Sequence, residues 1–348
     1  MAKDIISPAS NHRARMAFAA GLLLLPLLTT AALLTGSMRL APGEVLSALA
    51  AAPSDASPAA FIVWQSRVPQ LAVALLAGAS LSAAGLAMQT LFANPLADPS
   101  LLGVNSGASL GAALVLLCGG TLFAGGGLIV GFMVTLAAAF LGAMAVMFVL
   151  LALSSVLRGN MALLIAGVMI SFLLSGIISL LNFYATSQGV RSFVIWGLGD
   201  FSGVPLGNLP LYAVPVLLTL FALLFLAKPL NALLLGTEYA HNLGYRVRTV
   251  RTLGLLAAGL LAAATTAVCG PVSFIGLAVP HIVRLLYRRA DHRLLIPATM
   301  LWGGNVALFA LLLTRLPGER GILPLAAVTP LIGVPVVFYI LTKKGLRG

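Results

Sequence analysis

Gly126-Gly127-Leu128-Ile129-Val130-Gly131-Phe132-Met133-Val134-Thr135-Leu136-Ala137-Ala138-Ala139-Phe140-Leu141-Gly142-Ala143-Met144-Ala145-Val146-Met147-Phe148-Val149-Leu150-Leu151 contains no charged side chain, and it decides the class of fold. A helix needs about 20 mostly apolar residues to cross the hydrocarbon of a bilayer, and this run exceeds that length. The rest of the chain has the same character. Of its 348 residues, 60% are hydrophobic and 8% are charged, whereas a soluble domain carries roughly 25% charged and 45–50% apolar residues. Water cannot solvate such a surface, so a cytosolic or secreted globular protein is excluded. The 36 Gly and 19 Pro are neither periodic nor set in polar tracts, which excludes collagen-like and disordered chains. The expected fold is an all-α polytopic membrane protein, with residues 1–348 forming one transmembrane domain.

Apolar runs bounded by charges, Pro or Gly clusters predict ten spans, near 16–35, 68–90, 100–118, 126–151, 161–185, 209–227, 252–269, 272–287, 294–314 and 325–342. The run from Met16 to Leu34 follows Lys3, Arg13 and Arg15. It is longer than a signal-peptide core of about 7–15 residues, so it reads as an uncleaved first span. The segment 42–52 is expected to form a short helix on the outer surface.

The 20 Lys and Arg against 8 Asp and Glu would suggest nucleic acid in a soluble protein. Here they sit in short gaps between apolar runs and act as topology determinants. With the N-terminus inside, fifteen fall on the inner side: Lys3, Arg13, Arg15, Arg158, Lys228, Arg246, Arg248, Arg251, Arg284, Arg288, Arg289, Arg293, Lys343, Lys344 and Arg347. Five fall outside: Arg39, Arg67, Arg191, Arg315 and Arg320. This bias predicts both termini in the cytoplasm.

Two stretches interrupt helical regularity. One is Asn94-Pro95-Leu96-Ala97-Asp98-Pro99, and the other runs from Gly270-Pro271 to Pro280-His281. Non-helical backbone at membrane depth survives only against protein or a water-filled cavity. Each follows a long span rich in small residues, and those two spans run in opposite directions. The layout resembles an inverted repeat of spans 2–5 against 7–10, common in transporters. Gly103, Gly107 and Gly111 line one face of the third span, and Gly127 with Gly131 begins the fourth. Such small-residue faces let helices approach closely in any packed membrane bundle.

Several chemistries are missing. All eight acids (Asp4, Glu44, Asp55, Asp98, Asp200, Glu238, Asp291 and Glu319) fall in tails or connections, leaving no intramembrane carboxylate for proton coupling. The four lysines lack the glycine of a phosphate-binding loop, and no hydrolase motif is present. Cys118 and Cys269 have no ligand spacing around them, so neither a metal site nor a cofactor is expected. Any energy for transport must therefore enter through another subunit, and the chain is not expected to be an enzyme. The longest inner connection, 228–251, offers a place for it. Gly236 and Gly244 bracket a short helical segment that carries Ala240 and Leu243 on one apolar side. It reads equally as a helix lying on the headgroups or as a knob that inserts into a cytosolic ATPase.

Arg67-Val68-Pro69-Gln70, Gly78-Ala79-Ser80-Leu81, Met88-Gln89-Thr90-Leu91-Phe92-Ala93-Asn94-Pro95-Leu96-Ala97-Asp98-Pro99 and Leu102-Gly103-Val104-Asn105-Ser106-Gly107 closely resemble the FecCD-type permease family. So do Gly270-Pro271-Val272-Ser273-Phe274-Ile275-Gly276-Leu277-Ala278-Val279-Pro280-His281, Asp291-His292-Arg293, and Leu235-Gly236 through Leu243-Gly244. The likeness runs from Arg67 to the end of the chain, in the expected order. These permeases are membrane subunits of binding-protein-dependent ABC importers for ferric siderophores, haem and vitamin B12.

The resemblance implies ten transmembrane helices per subunit, two permease subunits around a central path, and two ATPase subunits below. It implies that Leu235, Gly236, Ala240, Leu243 and Gly244 belong to the segment that contacts the ATPase. It also implies that Arg67 and Arg315 receive acidic residues of a periplasmic binding protein, and that the turn at Gly159 and Asn160 lies where the path narrows as a gate. Some positions depart from the family pattern: Gln70 replaces a usual arginine, Leu311 a usual aspartate, and Gly321 to Leu325 the usual Glu-Leu-Pro-Val-Gly. The expected function is import of an iron chelate, with a ferric siderophore as first candidate. Haem and cobalamin are the alternatives, and an ion-coupled secondary transporter is the alternative from another class.

Overall fold

The chain enters the structure as α1 (Pro8–Leu34), which ends against two short helices, α2 (Pro42–Ala50) and α3 (Pro58–Ile62). This computed structural model describes residues 8–345 apart from 37, 39, 54, 56, 101, 119–126, 158 and 317–320. Of the charges placed above, Lys3, Asp4, Arg39, Arg158, Glu319, Arg320 and Arg347 lie outside the described residues. After α3 come α4 (Val68–Leu91), α5 (Val104–Cys118), α6 (Gly127–Val156), α7 (Asn160–Tyr184), α8 (Ser187–Leu198) and α9 (Leu209–Phe225). The chain continues through α10 (Ala227–Leu234), α11 (Thr237–Asn242), α12 (Val247–Cys269), α13 (Ile275–Tyr287), α14 (His292–Thr314) and α15 (Leu325–Gly345). Among the described residues there is no strand.

Among the described residues, seven stretches are long and apolar enough to cross a membrane: 12–34, 58–91, 131–156, 161–184, 206–225, 247–269 and 292–314. α5, α13 and residues 325–339 of α15 are shorter apolar helices. They stand where the third, eighth and tenth spans are expected. The span expected at 68–90 begins earlier, because α3 runs through a π-helical turn, Val63–Arg67, directly into α4. Pro69 explains that turn: it lacks the N–H that would bond Gln65, and the register slips so that the Val68 N–H reaches the Val63 carbonyl instead.

α4, α12 and α14 form the centre. The span containing α4 is 78% enclosed, whereas that of α7 is 11% enclosed and presents its sides outward. Glycine permits the closest packing. A Cβ on Gly78 would collide with the Gly303 carbonyl of α14, and one on Gly107 with the Gly142 carbonyl of α6. Of the small residues read on one face of the third span, Gly107 and Gly111 lie on α6, whereas Gly103 precedes α5 at φ 86 and packs beside Gly167 and Ser171 of α7.

The partners of the two sets of helices exchange. α4 packs on α14 and α13, while α12 packs on α6 and α5. Likewise α5 packs on α7, and α13 on α15. Such an exchange is the packing pattern expected of the inverted repeat, with α4 and α12 as its corresponding helices in mutual contact.

Candidate functional site

The two helix-breaking motifs meet. After α4 the chain reverses at Ala93, a non-glycine residue at φ 49, and runs back along the helix it has just left. The Pro95 carbonyl lies 2.8 Å from His281 Nε2 on α13, and Asp98 reaches Gly276 near the start of α13. Gly276 in turn packs on Gly85, six residues before the end of α4, or about 9 Å back along that helix at 1.5 Å per residue. Pro280 contributes chemically: it has no N–H to give the Gly276 carbonyl, and that carbonyl faces Gly85, where any Cβ would collide with it. Asn94 accepts from Leu96 N at 2.9 Å and shapes the turn.

This arrangement corrects the reading of the acids. Asp98 lies in a connection, yet the reversal leaves it only 5% exposed. Its Oδ1 accepts from Ser100 N at 2.8 Å and from the Ser100 hydroxyl, so it closes an Asx-type turn within the loop. At the other break, Gly270 (φ 72) caps α12, and a Cβ there would stand 2.6 Å from the Trp196 carbonyl at the end of α8. Pro271 then begins the short non-helical link to α13.

A polar chain joins the far end of α4 to the inner connection. Gln89 accepts from Arg284 Nη1 and gives its amide to the Leu277 carbonyl at 3.4 Å. One residue on, Thr90 Oγ1 lies 2.7 Å from His292 Nε2. His292 Nδ1 and its backbone N each lie 2.8 Å from Asn231 Oδ1 on α10. The Asn231 amide nitrogen donates to Asp291 Oδ1 at 2.6 Å, and Asp291 caps α14 through Arg293 N at 3.0 Å. A neutral imidazole with its proton on Nδ1 satisfies both of its contacts. Partial burial pushes the Asp291 carboxyl up, but the Arg293 N–H, the Asn231 amide and the charge of Arg293 outweigh it, holding the carboxyl below its usual range. The motifs containing Gln89, Thr90 and His292 were visible in the sequence. Their junction was not, because Thr90 and His292 are 202 positions apart.

The 228–251 connection holds α10 and α11. Gly236 (φ 113) precedes α11 and Gly244 (φ 84) follows it. Gly244 N donates to the His241 carbonyl at 2.9 Å, and Tyr245 N to the Ala240 carbonyl at 3.1 Å, the paired bonds of a Schellman cap. The expected apolar side needs correction. Ala240 is fully enclosed, whereas Leu243 points outward at 55% exposure, because it is the cap residue just past the end of α11, where the helix no longer sets its direction. The outward apolar group is instead Leu235, Tyr239 and Leu243.

The two outer arginines also differ from expectation. Arg67 is 2% exposed. It donates to the Leu33 carbonyl and, at 2.6 Å, to the Met38 carbonyl. Arg315 donates to the Ala32 and Thr35 carbonyls at 2.7 Å each and to Gln70 Oε1. Together they cap the C-terminal end of α1, where carbonyls lack helical donors and the helix dipole favours cations. Arg67 is therefore a buried clamp and not a protruding docking charge, while Arg315 stays half-buried. Gln70, where the family resemblance expects arginine, supplies an acceptor that a second cation could not. Leu311 is enclosed in the core.

Gly159, at φ 101, precedes α7 and borders a cavity at its start. Asn160 is the first residue of α7, and its side chain lies outside the described residues. No group of three or more His, Cys, Asp or Glu that could hold a metal occurs among the described residues.

Residues 23–343 match the FecCD transport family. The chain belongs to that family. It is accordingly an ABC-importer permease subunit and not itself an enzyme. Among its FecCD relatives, the vitamin B12 import system permease protein BtuC of Klebsiella pneumoniae is 35% identical over 329 residues, 94% of each chain. The BtuC of Salmonella paratyphi A is 34% identical over 324 residues, 92% of this chain and 93% of that one. Among solved structures, a metal-chelate type ABC transporter in an inward-facing conformation superposes with a TM-score of 0.81 at 28% identity, covering 95% of this FecCD chain and 99% of the other.

Proposed function

We propose that this permease moves a bulky metal chelate into the cytoplasm of a bacterium, driven by ATP hydrolysed on a separate cytosolic subunit. The observation that carries the reading is the inner connection. It presents Leu235, Tyr239 and Leu243 outward, and it is tied through Asn231 and His292 to Thr90 of the central helix α4. An ATPase that grips α10 and α11, including Gly236 and Gly244, would thereby pull on α4 and α14 together.

On the outer face, the end of α1 is the surface that a loaded binding protein would meet. Arg315 is the charge it can reach. Substrate would pass between two permease subunits, either two copies of this chain or this chain with a related one. The outward sides of α7 favour that face for the pairing. Gly159 and Asn160 would then border the inner end of the path. The charge bias supports an inner-membrane location with both termini in the cytoplasm.

For the cargo we propose cobalamin first, a reading supported by two relatives named as vitamin B12 permeases. The family resemblance and the metal-chelate type neighbour keep a ferric siderophore second and haem third. Proteoliposomes holding the permease, its ATPase and its binding protein test the reading with radiolabelled cobalamin and ferric siderophore side by side. Uptake should require ATP and stop with vanadate. Uptake that persists without ATP under a proton gradient would instead establish an ion-coupled transporter.

A further inference from the structure

At the inner ends of α6, α7 and α12 lies a cavity of about 400 Å³. Arg248 and Arg251 line it from α12. Being three residues apart, they share one face of that helix. No acidic side chain is among the lining residues. Among the described residues neither arginine makes a hydrogen bond or an ion pair, and the Arg251 Nε is enclosed without an acceptor. The facing serines of α6 do not compensate. Ser154 and Ser155 each donate back to their own helix, to the Leu151 and Ala152 carbonyls at 2.7 Å.

The remaining wall is apolar, formed largely by Leu91, Leu151, Leu163 and Leu255. Two guanidinium groups with no acidic partner among the described residues, Arg248 exposed and Arg251 half-buried, stand beside a leucine wall at the level where membrane helices end, and this matches an amphipathic anion. Guanidinium binds phosphate oxygens in a bidentate fork, and the leucines suit methylene groups. A soluble anion, or an acidic side chain from a protein partner, would answer the charge and leave the leucines wet.

We propose that this cavity binds the phosphate of an anionic phospholipid of the inner leaflet, with the first methylenes of an acyl chain on the leucines. Basic pockets between membrane helices on the cytoplasmic side are suited to anionic headgroups. The site adjoins Gly159 and the end of the 228–251 connection, so a bound lipid would sit beside the path and the coupling elements.

The test uses the full chain, delipidated in a neutral detergent and examined by native mass spectrometry with dioleoylphosphatidylglycerol or dioleoylphosphatidylcholine. One phosphatidylglycerol should be retained, with a preference over phosphatidylcholine of roughly tenfold or more. Arg248→Gln combined with Arg251→Gln should abolish that preference, whereas Arg13→Gln with Arg15→Gln should keep it. Arg251→Lys, which retains the charge, should keep most of it and shows that the fold tolerates change there. Inorganic phosphate should not compete at the lipid's concentration. Equal retention of both lipids, an unchanged preference in the double variant, or displacement by inorganic phosphate would each overturn the proposal. A double variant that keeps the lipid but no longer associates with the ATPase would assign the arginines to that subunit instead.

Discussion

Arg67 carries two hydrogen bonds to carbonyls in a place that water does not reach. Replacing it leaves those acceptors unmatched, and a bond to a charged group contributes about 1.5–3 kcal/mol. Arg67→Ala should therefore lower the thermal midpoint of the purified protein, measured by a thiol-reactive dye reporting on Cys269, which is buried in the native state. Arg191→Ala, which removes an exposed charge, should leave the midpoint unchanged. The sequence showed Arg67 on the outer side but could not show its burial, because the acceptors come from the end of α1, 29 and 34 positions away. Asp98 was misjudged for the same reason: its position in a connection was legible, and the reversal that encloses it was not. Asp291 behaves differently because it titrates. Its carboxyl in the folded protein lies below its unfolded value, so its stabilisation is present above the unfolded value of about 3.9 and is lost as pH falls through the folded one. The midpoint of the parent should drop more steeply below about pH 4 than that of Asp291→Asn, whose amide accepts the cap bond at every pH.

At the level of elements, α11 depends on how it stops. The Gly244 N–H is a donor in its cap, and its φ of 84 is far from the value that proline can adopt. Gly244→Pro should leave the protein inserted and monodisperse while uncoupling it: ATP turnover continues, and uptake falls by at least about tenfold. Gly244→Asn, which tolerates the left-handed region, should retain most uptake. Paired assays of phosphate release and cargo accumulation distinguish the two. Both glycines of this segment were legible, since Gly at a helix end has a conformational reason. The facing of its apolar residues was not, because α11 is too short for periodicity to orient it. The long helices were the most legible elements, as length and composition alone define them. The small-residue face of α5 was read correctly for Gly107 and Gly111, because spacing of four residues fixes a face wherever a helix is regular, but not for Gly103, which precedes the helix at φ 86. By contrast α3 and the π turn before α4 escaped notice, since the charge of Arg67 bounded the expected span whereas the helix runs through it.

Across the whole molecule, one junction connects the inner surface to the centre. His292 touches both Thr90 and Asn231, so loss of its imidazole cuts the side-chain link between the coupling elements and α4, while Thr90 keeps the Leu86 carbonyl and Asn231 keeps the backbone N–H of residue 292 and Asp291. His292→Ala should cost about 1–3 kcal/mol in stability and lower uptake per ATP hydrolysed. His292→Gln, which can reach one of the two contacts, should recover part of that ratio. An equal ratio in parent and alanine variant would remove the junction from the coupling route.

The meeting of Gly85 and Gly276 has a mechanical consequence. Main chain rests on main chain there, with no side chain between. Such a joint cannot slide: a step of one residue in either direction brings a Cβ onto a carbonyl oxygen. Nor can it be re-cut by rotamer change, since it has no rotamers. α4 and α13 must then travel as one rigid body during each cycle of transport, and the strain of opening must fall on the loosely held α7 around them.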